Sequence, residues 1–260
     1  MPGETITISA PAGEAEMYVA RPDESGGPWP GVLFLVDAIG LRPQTRSMAD
    51  RIASWGYVVA VPNLFYRDGT AAEVAPEHDL LRPEDREAFF AVATPRVRAL
   101  TDEIVIPDLH CYLDTLSSLP GVDGPHVGVT GYCMGGRLAL LAAHERPQQV
   151  SAVGVFHAGG LVTDNSASPH LHLSGIEAFV LAIHADNDHS LPATAVAQFE
   201  HALTSSGVTH HTTVYPGAAH GYTMADTSMY HHEAAENHFS ELEALFARTL
   251  PAASPPHAAG

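Results

Sequence analysis

The sequence contains no lysine. Its 12 basic side chains other than histidine are all arginine, set against 30 aspartates and glutamates, for a formal charge of -18. A surface so short of positive charge repels nucleic acid and anionic membranes, and neither is expected as a partner. Cysteine is nearly absent as well. Cys111 and Cys133 are too few for a disulfide framework, and such usage suits a reducing compartment. No apolar run approaches the roughly 18 residues of a membrane span. The opening Met1-Pro2-Gly3-Glu4 starts no charged-then-apolar leader, so no secretory signal is expected. There is no internal repeat and no glycine-rich phosphate cradle of the P-loop or dinucleotide type. These absences predict a soluble, cytoplasmic globular protein without a cofactor; its oligomeric state is not legible in the chain.

What the chain does contain is ample material for one large core, with 45% hydrophobic residues over 260 positions. Residues 5–8 and 16–20, separated by Pro11-Ala12-Gly13, predict an N-terminal antiparallel hairpin. The all-apolar runs 31–36 and 57–61 read as strands buried on both faces, joined by a helix over 43–55. A polar, proline-containing segment, 63–95, carries a weak helical pattern over 82–92 and is expected to wall or cover a pocket. A helix over 97–119 follows, with Pro107 predicting a kink or break. Further strands are expected at 126–130, 151–156, 178–183 and 211–215, and further helices at 136–144, 192–205 and 231–248. Strands alternating with helices imply an α/β fold with a mostly parallel sheet and helices on both faces. One domain over 1–250 accounts for the pattern, followed by a Pro/Ala-rich tail, 251–260, expected to be disordered.

The most informative segment is Gly131-Tyr132-Cys133-Met134-Gly135, between the strand run 126–130 and the helical run 136–144. A strand, a sharp turn and a helix with a nucleophilic residue at the apex define a nucleophile elbow. Small residues are needed where the turn crowds the backbone, and Gly131 and Gly135 occupy those places. The apex carries a thiol, set at a helix N-terminus where the macrodipole favours the thiolate. Such a nucleophile needs an imidazole to carry its proton and a carboxylate to orient the imidazole, in the chain order nucleophile, acid, histidine. Two loops after expected strands fit this order: 184–192, containing Asp186 and Asp188, and 216–222, containing His220.

Gly131-Tyr132-Cys133-Met134-Gly135-Gly136, Asp188-His189-Ser190-Leu191-Pro192 and Ala219-His220-Gly221-Tyr222 together resemble the dienelactone hydrolase family of α/β-hydrolases. Val36-Asp37-Ala38-Ile39-Gly40 and 61–67 match that family's early loops, and the similarity runs from about residue 5 to residue 250. The resemblance implies the α/β-hydrolase fold and a Cys133–His220–Asp188 triad, selecting Asp188 over Asp186 because the acid lies four residues before the proline that starts the next helix. His157, His184 and His189 are the competing imidazoles, but only His220 follows the last strand. The resemblance assigns the oxyanion donors to the backbone N–H groups of Ala38 and Met134. It places Asp37 where the family typically has a glutamate that contacts the thiol; the shorter side chain leaves either that role or a loop-capping one.

Family members that act on dienelactone hold a substrate carboxylate with arginines, one of them four residues after the histidine. Here that position is Met224. A pocket wall of Ile39, Tyr132, Tyr222 and Met224, with Arg86 available from the covering segment beside Arg67 and Arg82, suits a small neutral ester or lactone. The expected activity is therefore carboxylic ester or lactone hydrolysis through a thioester on Cys133. Acyl transfer or thioester hydrolysis on the same residues, and a non-enzymatic redox-sensing or ligand-binding thiol, are the alternatives. The cluster His231, His232, Glu233, Glu236 and His238 has spacing compatible with a metal, but is expected to be the exposed face of an amphipathic helix, so no metal site is assigned.

Overall fold

The computed structural model describes residues 3–22 and 27–250, so the tail 251–260 lies outside the described residues. The chain runs β1 (Glu4–Ala10), β2 (Gly13–Ala20), β3 (Trp29–Leu35), α1 (Pro43–Ala53), β4 (Val58–Pro62), α2 (Ala71–Val74), α3 (Pro83–Ala99) and α4 (Asp102–Ser118). It continues through β5 (Val122–Tyr132), α5 (Met134–Glu145), β6 (Val150–Phe156), β7 (Phe179–Asn187), α6 (Ala193–Ser205), β8 (His210–Ala219) and α7 (His232–Thr249). All the strands join one eight-stranded sheet in the order β1-β2-β4-β3-β5-β6-β7-β8. β1 pairs antiparallel with β2, and β2 antiparallel with β4, while the pairs from β4 onward are parallel.

The sheet is covered on both faces, and two glycines show how. A Cβ on Gly31 of β3 would come within 3.0 Å of the Leu116 side chain of α4, which packs tightly over this position. Gly128 of β5 is registered beside Val32, the next residue along β3, and therefore faces the other way. Its missing Cβ would meet Phe246 of α7 at 2.8 Å. Thus α4 and α7 press on opposite faces of the central strands. On the α7 face, α1 joins through the Trp55–Phe239 ring contact and a bidentate Arg51–Glu236 ion pair. β3, β4 and β6 are buried along almost their whole length, which explains why they read as unbroken apolar runs.

The helical boundaries differ from the sequence reading in the covering segment. α3 continues to Ala99 and carries Pro95 inside it, and the chain breaks at Leu100-Thr101 rather than at Pro107, which lies within α4. The new start has its own logic. Thr101 is extended, its carbonyl accepts the N–H groups of Ile104 and Val105, and Asp102 and Glu103 complement the helix dipole in the first turn. His238 is also not on an exposed helix face. It is fully buried, with Nδ1 donating to the Ala235 carbonyl and Nε2 3.2 Å from the Tyr132 hydroxyl.

His238 is one of three imidazoles buried at or beneath the carboxyl edge of the sheet, with His157 after β6 and His184 in β7. Burial pushes His184 down to about 4 and His238 down to about 3, and holds His157 well below the usual histidine range. The unfolded chain takes up these protons near pH 6.5, whereas the folded chain refuses them until far lower pH. Stability from this source is therefore complete above pH 6.5 and is lost as the pH falls below it. Each imidazole contributes a slope of ~1.4 kcal/mol per pH unit, so the unfolding free energy should drop by about 4 kcal/mol between pH 6 and pH 5. Denaturant titrations at the two pH values test this, and His184→Phe should flatten the slope by about a third.

Candidate active site

The turn from β5 into α5 places Cys133 at φ 55° and ψ -120°, in left-handed backbone space that a non-glycine residue rarely occupies. Its surroundings enforce this conformation. A Cβ on Gly131 would fall on the Gly135 carbonyl, and a Cβ on Gly135 would sit 2.6 Å from the Val36 carbonyl oxygen. The turn can therefore close tightly, and α5 can begin against the end of β3, only because both positions lack a side chain. The Cys133 N–H donates to the Phe156 carbonyl at 3.0 Å, tying the apex to β6.

Tyr132, the residue before the apex, points into the core. Its ring stacks between Phe34 and Phe156 with centroids 4.7 and 5.2 Å away, and its hydroxyl meets His238. The sequence expectation that Tyr132 lines the pocket is thereby corrected: as the last residue of β5 it is fully buried between Phe34 and Phe156, whose rings hold it in the core. Tyr222 is corrected likewise. It is fully buried, edge-on beneath His157 at 5.0 Å, and forms a layer under the cavity rather than its wall.

Beside Cys133 lies a small cavity of about 130 Å³. Of the residues singled out in the sequence, Asp37, Ala38, Ile39, Arg86, Met224 and His220 reach it together with Cys133. Phe90, His157, Gly221, Thr227 and Met229 complete the lining and had not been expected there. Phe90 and Arg86 share the spacing i, i+4 on α3, with the guanidinium 5.3 Å above the ring. That spacing was the available sequence signal. Met134, the first residue of α5, is half-buried. No acceptor is found among the described residues for the Met134 N–H or for the Ala38 N–H.

His220 follows β8 and Asp188 follows β7, strands that run in parallel register. His220 Nδ1 lies 2.7 Å from Asp188 Oδ2. The other carboxylate oxygen accepts the Ser190 N–H at 2.8 Å and its hydroxyl at 2.5 Å, and the same hydroxyl oxygen is 3.1 Å from His220 Nδ1. Asp186, the competing acid, accepts the Gly217 N–H at 2.9 Å and ties β7 to β8 instead. Among the competing imidazoles, His189 is exposed, His184 is buried in β7, and His157 lies 5.3 Å from the His220 ring with Nε2 2.8 Å from the Thr223 hydroxyl.

The charges at the site are mutually sustained. Burial works against a proton on His220. The charge of a Cys133 thiolate, hydrogen bonds to Asp188 and Cys133, and the Asp188 charge outweigh it and push the imidazole up to about 10. Asp188 is held below the usual carboxylate range: burial opposes this, and His220 and Ser190 overcome it. Asp37, which also lines the cavity, accepts the N–H groups of Ile39 and Gly40 at 3.0 and 3.3 Å and faces the Arg42 guanidinium through both oxygens. Arg42 and its second partner, Asp226, were not recognised in the sequence. Cys111 is remote from the site, its thiol directed at the Ser9 carbonyl at 3.3 Å.

No group of three or more histidine, cysteine, aspartate or glutamate side chains that could hold a metal ion occurs among the described residues. A larger cavity, about 400 Å³, lies between α4, α5 and the 166–172 segment and contains none of Cys133, Asp188 and His220. No described helix is long and apolar enough to cross a membrane.

A sheet of this strand order, with a strained thiol at the β5–α5 turn and an acid and a histidine after the next strands, defines an α/β-hydrolase. The dienelactone hydrolase family model matches residues 15–250, and the chain belongs to that family. The "Putative carboxymethylenebutenolidase" of Yersinia pestis is 28% identical over 239 residues, covering 90% of this chain and 84% of that protein. The "Carboxymethylenebutenolidase" of Rhodococcus opacus is 27% identical over 210 residues, 80% of this chain and 76% of that one. Among solved structures, a "Putative Dienelactone Hydrolase" from Klebsiella pneumoniae subsp. pneumoniae MGH 78578 superposes with a TM-score of 0.81 at 27% identity, covering 95% of this chain and 98% of that chain. The protein is a dienelactone hydrolase-like hydrolase.

The coupling of His220 to the cysteine gives a direct test. In Cys133→Ala the imidazole loses the sulfur's charge and hydrogen bond, so its pKa should fall from about 10 towards neutrality. An NMR titration of the ring in both proteins reads this shift. The accompanying stability has the sign of a raised histidine: fully present below pH 6.5 and lost as the pH rises through about 10. The variant should show little of that alkaline loss.

Proposed function

We propose that this protein hydrolyses a small carboxylic ester or lactone through a Cys133–His220–Asp188 triad and a thioester intermediate. The observation that carries the reading is the Asp188–His220 contact of 2.7 Å beside a cysteine held in a strained, half-exposed elbow. In the proposed cycle the Cys133 thiolate attacks the substrate carbonyl carbon while His220 carries the proton. The oxyanion receives hydrogen bonds from the Ala38 and Met134 N–H groups. As the intermediate collapses, the C–O bond breaks and His220 protonates the departing alkoxide or enolate, leaving an S-acyl enzyme. Neutral His220 then takes a proton from water, the hydroxide adds to the thioester, and C–S cleavage returns the thiolate and the acid.

The mostly apolar lining, with Met224, Met229, Ile39 and Phe90, supports a compact neutral substrate. A second reading has its own support. Arg86 reaches the cavity without a carboxylate partner among the described residues, and would attract a substrate bearing a carboxylate near the ester. A free-thiol nucleophile fits the reducing, cytoplasmic setting expected from the cysteine usage.

Cys133→Ala should lower kcat on short p-nitrophenyl esters and neutral lactones by at least about 10⁴-fold without unfolding the protein. A neutral ester compared with a carboxylate-bearing analogue, in wild type and Arg86→Gln, separates the two substrate readings. A neutral substrate predicts similar kcat/KM in both proteins, and selective loss on the anionic ester supports the second. Undiminished turnover in Cys133→Ala refutes the assignment of the nucleophile.

A further inference from the structure

Arg42 is 4% exposed, and each of its N–H groups has an acceptor. Nη1 donates to Asp37 Oδ1 at 2.7 Å and to the Gly40 carbonyl at 3.1 Å. Nη2 donates to Asp37 Oδ2 and Asp226 Oδ1, each at 3.1 Å, and Nε donates to Asp226 Oδ2 at 2.6 Å. One planar guanidinium thus bridges two carboxylates from loops far apart in the sequence. Asp37 immediately precedes Ala38 on the loop after β3, and Asp226 lies on the loop that follows His220. The clamp also organises the first loop internally. Asp37 Oδ1 engages the Ile39 and Gly40 N–H groups, which leaves the Ala38 N–H without an acceptor among the described residues.

A carboxylate held in this way is a poor candidate for the thiol's base. To reach Cys133 it would have to abandon a buried ion pair and two backbone donors, and leave Arg42 with Asp226 as its remaining carboxylate partner. We propose that Arg42 is a positioning residue: it fixes the Asp37–Gly40 loop so that the Ala38 N–H faces the oxyanion, and Asp37 serves the reaction through this clamp rather than as a base on Cys133. The proposal rests on the reading of Cys133 as nucleophile and Ala38 as an oxyanion donor. A fork is required because two carboxylates must be met in one plane, and a lysine ammonium supplies charge without that geometry.

The test compares wild type, Arg42→Lys, Asp226→Asn and Cys133→Ala with two readouts. The first is turnover of p-nitrophenyl acetate, which needs the oxyanion site. The second is alkylation of Cys133 by iodoacetamide against pH, followed by peptide mass to separate it from Cys111; this displacement develops no oxyanion. Arg42→Lys should lose about 10- to 100-fold in kcat, with KM within about threefold and the alkylation profile unmoved. Asp226→Asn retains the Asp37–Arg42 pair and should lose about threefold or more in kcat, also with unchanged alkylation. It carries the test if Arg42→Lys does not fold. Wild-type kcat in either folded variant overturns the proposal, as does a shifted alkylation profile in Arg42→Lys, which would mark Asp37 as acting on the thiol. Those results leave the nucleophile assignment standing so long as Cys133→Ala is inactive; activity in that variant removes the reading beneath both.

Discussion

The close approach of Gly131, Gly135 and the end of β3 is the constraint on which the remaining geometry depends. With any side chain at those glycines, α5 cannot start where it does, and Cys133 has no reason to adopt φ 55°. A non-glycine residue in that conformation costs on the order of 1–3 kcal/mol, so the neighbours must over-determine it. They do so from several directions. Phe156 accepts the Cys133 N–H, Phe34 and Phe156 grip the Tyr132 ring, and buried His238 receives its hydroxyl. The same approach brings the loop after β3 next to the first turn of α5. The Ala38 and Met134 N–H groups, proposed as the oxyanion donors, belong to these two segments, and backbone donors leave no side-chain signature.

Around this rigid apex the charges are paired rather than scattered. The Asp188–His220 pair brings His220 to the cavity, and the Asp37–Arg42–Asp226 bridge brings Asp37. His157 stays neutral, because burial and the neighbouring imidazoles disfavour a further proton. In a protein of formal charge -18, buried carboxylates would repel one another unless each had a fixed partner. Histidine and arginine supply those partners here. Their directional hydrogen bonds also set the positions of the loops that carry them.

The strands were legible because β3, β4, β6 and most of β7 are buried on both faces and leave unbroken apolar runs. The elbow was legible because its sterics demand glycine at fixed places. The α3–α4 boundary was not, because Pro107 is a louder signal than the Thr101-Asp102-Glu103 start that the chain uses. The facing of Tyr132 and Tyr222, which decides that they lie beneath the pocket and not on its wall, is set by sheet register and loop packing and is not legible in the sequence. The buried position of His238 is hidden in the sequence by the polar helix residues on either side of it. Arg42 was missed for a different reason. Asp226 lies 184 residues away in sequence, and no local pattern announces a bridge of that span.

The central claim is that acyl groups pass through the Cys133 sulfur. Intact-protein mass spectrometry of enzyme mixed with p-nitrophenyl acetate and acid-quenched within milliseconds tests it most directly. The account predicts a single acetyl adduct that maps to Cys133, disappears on treatment with neutral hydroxylamine, and is absent from Cys133→Ala. Persistence of the adduct in His220→Ala, as deacylation slows, would extend the same account to the imidazole. Rapid wild-type turnover with no adduct on Cys133, or with an adduct on another residue, would contradict it.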